Sequence, residues 1–288
     1  MAERPAPRLS ADGVAWLRAL DAACDAIECE IAPMSSAERR RPVGAGAGGD
    51  VTVWVDALAE RTVLSAIEPL MAARGGALLI AEEGGHRQVG GPDARTTVVV
   101  DPIDGSLNAK RALPIFSTAV AVADGPTMAD VWFGYVRDHG SGATHVAERG
   151  RGAWRDGRPL AVRPEAATLV VAFEGASPAR LAAACAPLEG QVHRVRAMGS
   201  LALSLCAVAT GACDAMAGLT RARSVDTAGA QLICREAGAL VGMPDTTDLA
   251  SVPLDLEARH PVVAGNNADA VDLLERSRTA AGEVAAAR

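Results

Sequence analysis

The stretch VVVDPIDGSLN, residues 98–108, is where the residue types of this chain point most directly to chemistry. Three valines lead into Pro102, which indicates a strand that ends there, because proline cannot continue a ladder of hydrogen bonds. Residues 103–106 then read as a turn, so Asp101 and Asp104 are expected at one strand tip. Two carboxylates held that close repel each other unless a cation lies between them or one of them is protonated.

A hard divalent cation is the simpler explanation of this acidic pair. Mg²⁺ prefers oxygen ligands and usually combines one or two carboxylates with the phosphate oxygens of a substrate. Gly105, Ser106 and Leu107 follow the pair and offer backbone N–H groups to such a phosphate. The alternative is a solvated Asp-Pro turn with no ligand, and the stretch alone leaves both interpretations open.

Further acidic residues lie far from this stretch in the sequence. Glu82 and Glu83 follow the apolar run 77–81 and precede two glycines, so they too are expected at a strand end. Asp56 stands near the start of a helical pattern, and Asp226 is the predicted N-cap of another helix. Taken singly, each has an ordinary explanation as a helix cap or a solvated acidic face.

The elements that must position these residues follow from hydrophobic periodicity. Two helices, over about 9–31 and 56–73, are expected before the first strand. From about 78 to 162 short strands alternate with tight turns, including an Asp156-Gly157 dipeptide suited to a type I′ turn, which indicates antiparallel pairing. After about 163 strands alternate with helices, one of them over about 201–216, which is typical of an α/β arrangement.

These patterns predict two halves. Residues 1–165 form an antiparallel-sheet α+β half that carries most of the acidic cluster, and residues 166–288 form an α/β half that carries Asp226.

The order and spacing of the acidic blocks resemble the inositol monophosphatase superfamily of Mg²⁺-dependent, lithium-sensitive phosphomonoesterases. The resemblance runs from about residue 46 to about residue 240. It is carried by five blocks, which are residues 52–60, 82–83, 101–108, 196–215 and 226–238. Within the superfamily, residues 46–56 and 133–136 look most similar to the archaeal-type enzymes that hydrolyse inositol monophosphate and fructose 1,6-bisphosphate. The resemblance implies an α/β fold, layered as an α/β/α/β/α sandwich, with the metals between its two halves.

The resemblance also implies a set of metal ligands. Glu83, Asp101 and the carbonyl of Ile103 would hold one Mg²⁺, and Asp101, Asp104 and Asp226 would hold a second. Asp101 would therefore bridge the two ions, which explains why the motif needs two aspartates at this spacing. Two such ions stabilise both the attacking and the leaving oxygens of an in-line displacement.

The remaining catalytic roles are carried over in the same way. Asp56 and Ser106 would orient and deprotonate the attacking water, and the N–H groups of Gly105 and Ser106 would bind the phosphate. Gly48 stands where the archaeal-type pattern has an aspartate that helps with a third ion, and Asp50 follows two residues later. Two Mg²⁺ ions are therefore expected, and a third is left open.

Four polar residues near these blocks are candidates for substrate binding. The resemblance places them where they could reach a sugar hydroxyl or a second phosphate, although ordinary surface roles for the arginines remain an alternative. They are Arg196, Ser200, Arg221 and Arg223.

Composition narrows the class of protein. The formal net charge of −7 disfavours nonspecific nucleic-acid binding, and the four Trp, one Tyr and three Phe offer few platforms for stacking bases. The six cysteines show no metal-ligand spacing and are expected to be reduced. No uncharged apolar run is long enough to span a membrane, so we expect a soluble cytoplasmic protein. The family resemblance implies that the protein forms a homodimer.

The sequence thus predicts a Mg²⁺-dependent phosphomonoesterase that acts on inositol 1-phosphate, fructose 1,6-bisphosphate or both. Alternatives within the same chemistry are a 3′-phosphoadenosine 5′-phosphate phosphatase, a histidinol-phosphate phosphatase and a tailoring phosphatase of secondary metabolism. A non-enzymatic alternative is a sensor that binds inositol phosphates without turnover.

Overall fold

The computed structural model describes residues 7–45, 51–91, 94–163, 170–246 and 248–286. Its helices are α1 (Ala11–Ile31), α2 (Ser36–Arg39), α3 (Trp54–Ala73), α4 (Ser106–Lys110), α5 (Pro178–Cys185), α6 (Leu201–Ala209), α7 (Ser224–Glu236) and α8 (Ala268–Ala286).

Its strands up to residue 159 are β1 (Pro42–Ala45), β2 (Val51–Val53), β3 (Gly76–Ala81), β4 (Gly85–Gly90), β5 (Thr97–Asp104), β6 (Ser117–Ala123), β7 (Val131–Asp138), β8 (Ala143–Glu148), β9 (Gly152–Arg155) and β10 (Arg158–Pro159). The later strands are β11 (Val170–Glu174), β12 (Arg194–Arg196), β13 (Ala215–Gly218), β14 (Leu240–Gly242) and β15 (Val263–Gly265).

Eight strands of the first half form one sheet in the order β10-β9-β8-β7-β6-β5-β3-β4. Its neighbours pair antiparallel, as the tight turns predicted, except that β3 and β5 run parallel. The turn at Asp156 and Gly157 has positive φ at both residues, which confirms the type I′ interpretation. The parallel pair brings the carboxyl ends of β3 and β5 to the same edge, and both acidic pairs of the first half follow there.

A second sheet of five strands lies in the later half, in the order β12-β11-β13-β15-β14. Strand β11 runs parallel to both of its neighbours, whereas β15 runs antiparallel to β13 and β14. The alternation of strands and helices predicted for this half is therefore present, with two antiparallel strands added at one side.

Helices and sheets alternate in five layers. Helices α1 and α3 cover one face of the large sheet, with Trp16, Leu20 and Ile67 fully buried between them. Helices α6 and α7 lie between the two sheets and share one apolar core with both. Helices α5 and α8 cover the outer face of the small sheet. This arrangement confirms the predicted α/β/α/β/α sandwich.

Two glycines let α7 approach the large sheet closely. A Cβ atom on Gly134 of β7 would lie 2.4 Å from the carbonyl oxygen of Gly229 on α7. A Cβ atom on Gly229 would lie 2.6 Å from the carbonyl oxygen of Val120 on β6. Because these are backbone atoms that cannot swing aside, both positions require glycine, and the contact fixes the height of α7 over the sheet.

Three predictions about elements were wrong. The hairpin of β1 and β2 precedes α3, where only helices were expected before the first strand. The helix expected over 201–216 ends at Ala209, because Gly211 takes a left-handed conformation there. Strand β5 continues through Pro102 to Asp104, because its pairing with β6 is irregular between Asp101 and Asp104 and makes room for the proline.

The boundary expected near residue 165 lies outside the described residues. Among the described helices, none is both long and apolar enough to cross a membrane.

Candidate active site

Asp101 and Asp104 lie at the carboxyl end of β5, as predicted, and both are buried, with 1% and 7% of their surface exposed. The N–H of Ile103 donates to Asp101 Oδ1 at 3.0 Å. The irregular pairing of this end of β5 therefore folds the strand tip around one carboxylate, and Asp104 comes from the far side of the same bend.

Gly105 forms the turn that follows. Its φ of +87° is left-handed, and a Cβ atom there would lie 2.9 Å from the carbonyl oxygen of Gly199. The amides of Asn108 and Ala109 donate back to Gly105, which starts α4. The hydroxyl of Ser106 donates to the carbonyl of Ile103 at 2.9 Å. The predicted phosphate-binding residues thus lie in the first turn of a helix, where N–H groups have no acceptor within the helix.

Asp104 is held by the start of α6. Its carboxylate accepts hydrogen bonds from the hydroxyl of Ser200 and from the N–H groups of Leu201 and Ala202, the latter at 2.8 Å. Ser200 is only 1% exposed. The sequence suggested Ser200 for substrate binding. In the structure its buried hydroxyl donates to Asp104 instead.

The side chains of Glu82 and Glu83, which follow β3, have different partners. Glu83 accepts a hydrogen bond from the Thr52 hydroxyl, and its N–H donates to Glu60 at 2.9 Å. Glu82 instead pairs with the guanidinium of Arg223, and its negative charge acts on Asp101. The structure thus brings Glu82, rather than the expected Glu83, to the aspartate cluster. The sequence predicted Glu83 as the ligand of this pair, whereas in the structure the turn places Glu82 toward the aspartates.

Asp226 lies in the first turn of α7, and the prediction that it caps this helix was wrong. The cap position is occupied by Arg223, whose N–H donates to the Asp226 carboxylate at 2.8 Å. The guanidinium of Arg223 lies 3.7 Å from Asp226 and bonds Glu82 as well. Arg223 therefore lies between two carboxylates and belongs to the cluster itself.

The four carboxylates Glu82, Asp101, Asp104 and Asp226 converge from three elements, and their electrostatics favour a cation. Burial and the charges of Glu82, Asp104 and Asp226 raise the pKa of Asp101 well above its usual range. Burial raises the pKa of Asp104 to about 7, although the Ser200 hydroxyl opposes this. Burial also raises the pKa of Asp226, against the charge of Arg223. The ionised carboxylates repel one another, and a cation between them would relieve that repulsion.

The donor set suits Mg²⁺, because it consists of carboxylates and one backbone carbonyl, that of Ile103. Within the described residues, no three acidic, histidine or cysteine side chains are placed so that together they could hold a metal ion. The hydrogen bonds to Asp104 and Asp226, and the ion pair of Glu82, account for the present orientation of these side chains.

Asp56 lies in the first turn of α3 and is 2% exposed. Lys110 Nζ lies 2.9 Å from its Oδ2, whereas its Oδ1 is buried without a hydrogen-bond partner in the described part of the chain. Burial raises the pKa of Asp56 to about 6, although Lys110 opposes the rise. The Ser106 hydroxyl, its expected partner, bonds Ile103 instead. The sequence patterns assigned no role to Lys110, the single lysine of the chain.

The two remaining arginine candidates have partners away from the cluster. Arg196 lies exposed at the end of β12 and donates to the neighbouring carbonyl of Val195. Arg221 is 56% exposed and pairs with Asp245. Arg259, which the sequence did not suggest, acts on Asp226 through its charge. Gly48 and Asp50, on which the question of a third ion depended, lie outside the described residues.

The sequence profile of the inositol monophosphatase family matches residues 18–281. The chain belongs to this family. This member of the inositol monophosphatase family is 32% identical over 201 residues to a fructose-1,6-bisphosphatase/inositol-1-monophosphatase of Thermococcus kodakarensis, covering 69% of this chain and 72% of the relative. Its structure is similar to a crystal structure of an inositol monophosphatase-fructose 1,6-bisphosphatase, with a TM-score of 0.78, 26% identity, and coverage of 91% of this chain and 99% of the other.

The family member also matches a bifunctional NADP phosphatase/NAD kinase of Methanococcus maripaludis, at 29% identity over 260 residues. That alignment covers 83% of this chain but only 45% of the relative. The chain thus spans about half the length of this longer relative.

Proposed function

We propose that this chain is a Mg²⁺-dependent phosphomonoesterase that hydrolyses a small sugar or cyclitol phosphate, such as inositol 1-phosphate or fructose 1,6-bisphosphate. The observation that carries the proposal is the cluster of Glu82, Asp101, Asp104 and Asp226 beside the Gly105 turn, in which both aspartates of β5 are buried. An excess of negative charge next to amides that have no acceptor within their own helix is the combination that a cation and a phosphate satisfy together.

In this proposal the cluster would hold two Mg²⁺ ions. Glu82, Asp101 and the Ile103 carbonyl would hold one, with Glu82 in place of Glu83 because Glu82 is the member that acts on Asp101. Asp101, Asp104 and Asp226 would hold the other. Bound Mg²⁺ supplies a more acidic water and neutralises the charge that develops on the phosphate.

The chain's own groups supply the rest of the chemistry. Asp56 accepts the proton of the attacking water at Oδ1, which has no other partner in the described residues. Ser106 orients that water after its hydroxyl turns from the Ile103 carbonyl. The N–H groups of Gly105 and Ser106 bind the phosphate, because the first turn of α4 leaves them without acceptors in the helix. Asp104 stays fixed by its bonds to α6.

On the substrate side, Arg223 is the candidate nearest to the cluster, and we propose that it exchanges an ion pair with Glu82 for a substrate phosphate. Arg196 and Arg221 would reach a substrate only through movement away from their present partners. We further propose the two halves 1–165 and 166–288 and a cytoplasmic location, which rest on the sequence patterns, and sensitivity to lithium and a homodimer, which rest on the family.

The substrate class is tested by a panel of esters with purified protein and Mg²⁺. We expect inorganic phosphate from inositol 1-phosphate or fructose 1,6-bisphosphate at a higher kcat/KM than from NADP, a nucleotide 3′-phosphate or histidinol phosphate. A preference for one of the latter would move the substrate class to that ester. Tight binding of inositol phosphates with no phosphate released from any ester would favour a sensor.

A further inference from the structure

Lys110 is the single lysine of the chain, and it lies at the proposed site. Its ammonium lies 2.9 Å from Asp56 Oδ2, and the Asp56 side chain is only 3% exposed. Lys110 itself is 24% exposed. The ion pair is therefore largely shielded from water, where such a pair is screened less than on a surface.

The position of Lys110 on α4 relates it to Ser106. The two residues are the last and the first of this helix and stand four positions apart, so they lie on the same helix face. Asp56 comes from a different helix, α3. The ion pair therefore ties the proposed proton acceptor to the helix that carries the proposed water-orienting hydroxyl.

The ion pair occupies one oxygen of Asp56 and leaves the other unused. Oδ2 bonds Lys110, whereas Oδ1 is buried and has no partner among the described residues. A buried carboxylate oxygen without a partner is costly, which indicates that a group absent from the protein itself completes it. A water about to lose its proton is such a group.

Three charged side chains act on Asp56. Glu82 and Glu83 disfavour its ionised form, as does burial, and Lys110 favours it. Lys110 is the one positively charged side chain of these three, so its removal would take that support from the ionised form of Asp56.

We propose that Lys110 is a positioning residue, which fixes Asp56 through Oδ2 and leaves Oδ1 to accept the proton of the attacking water. The inference rests on the proposed phosphatase function. Direct binding of the substrate phosphate by Lys110 is the competing role, and its existing bond to a buried carboxylate disfavours it.

The test compares Lys110→Met, Lys110→Arg and a matched control, Arg111→Met, which removes a positive charge from the adjacent exposed position. For Lys110→Met we expect kcat to fall about 100-fold, of the order of a lost proton-transfer contribution, with KM changed less than twofold. The acidic limb of kcat/KM should move to higher pH, because Asp56 then takes up a proton more readily. Lys110→Arg should restore most of kcat, and Arg111→Met should behave as wild type.

A rise in KM with unchanged kcat in Lys110→Met would overturn the proposal in favour of phosphate binding. A fall in kcat with an unmoved acidic limb and a lower Tm would overturn it in favour of a merely structural role. Infrared titration of the Asp56 carboxyl separates the positioning role from the merely structural one. The Asp56 band is identified because it is lost in Asp56→Asn. The wild type could show no turnover while the titration of Asp56 still changes in Lys110→Met. That outcome would overturn the proposed function, and the catalytic role of Lys110 with it, but would leave the ion pair intact.

Discussion

The carboxylate of Glu82 and the guanidinium of Arg223 form an ion pair between the turn after β3 and the start of α7. Glu82 comes from the large sheet, whereas Arg223 precedes the helix that carries Asp226, so the pair joins two elements separated by 141 residues. Through it, Glu82 faces the aspartates, while Glu83 bonds Thr52.

This relationship predicts different consequences for two adjacent and chemically identical substitutions. Glu82→Gln removes a carboxylate from the proposed Mg²⁺ site and should weaken Mg²⁺ binding by about 10-fold or more, as the loss of a ligand or of its supporting partner does. Glu83→Gln should leave Mg²⁺ affinity within about threefold of wild type. Calorimetric titration of the apoprotein with Mg²⁺ measures both. The reverse order of effects would return Glu83 to the ligand set.

The close approach of α7 to the large sheet predicts a strong effect of one methyl group. Gly134→Ala places a Cβ 2.4 Å from the Gly229 carbonyl oxygen and should lower the free energy of unfolding by about 3 kcal/mol. Displacement of α7 should also lower phosphatase activity, because Asp226 moves with it. Urea unfolding and steady-state rates test both effects.

Gly282→Ala is the matched control, because a Cβ there meets nothing within 4 Å and the residue lies in α8. We expect it to raise the free energy of unfolding by up to about 1 kcal/mol. Equal stability of the Gly134→Ala and Gly282→Ala variants would contradict the close contact described for α7.

His145 predicts a pH dependence of stability. Burial, followed by the charge of Arg155, lowers the pKa of His145 from 6.5 to about 4. Between these values the unfolded chain binds a proton that the folded chain does not, so stability rises with pH across this window. At pH 4 the native state should have lost about 3 kcal/mol relative to pH 7 through this residue. The free energy of unfolding of His145→Gln, measured against wild type from pH 7 to pH 4, should lack that loss.

His193→Gln, at an exposed position, serves as its control. A slope of stability against pH that is the same in all three proteins would show that His145 is not held neutral by the fold.

Local patterns carried much of the fold. Asp156-Gly157 predicted its turn because only a few dipeptides accept two positive φ angles, and the strand that carries Asp101 followed from its β-branched residues. The apolar run 201–216 misled, because alanine and leucine suit a helix and a buried strand alike. The left-handed Gly211 and the pairing of Ala215–Gly218 with two other strands distinguish them.

The site shows the same limit. The acidic blocks predicted a metal centre, but the choice between Glu82 and Glu83 depends on how one turn rotates. The role of Ser200 depends on where α6 begins relative to Asp104, a contact across 96 residues. The Lys110–Asp56 pair depends on how α4 meets α3. No local pattern encodes these long-range relationships.

Metal-dependent hydrolysis is tested by the release of inorganic phosphate from inositol 1-phosphate, measured with Mg²⁺, with excess EDTA, and with Asp101→Asn in Mg²⁺. We expect turnover by the wild type in Mg²⁺ and loss of turnover in EDTA, with recovery when Mg²⁺ is restored. We also expect a fall of at least about 1000-fold for Asp101→Asn, since the residue is proposed to serve both ions. Phosphate release that persists in EDTA, or that survives in Asp101→Asn, would contradict these expectations.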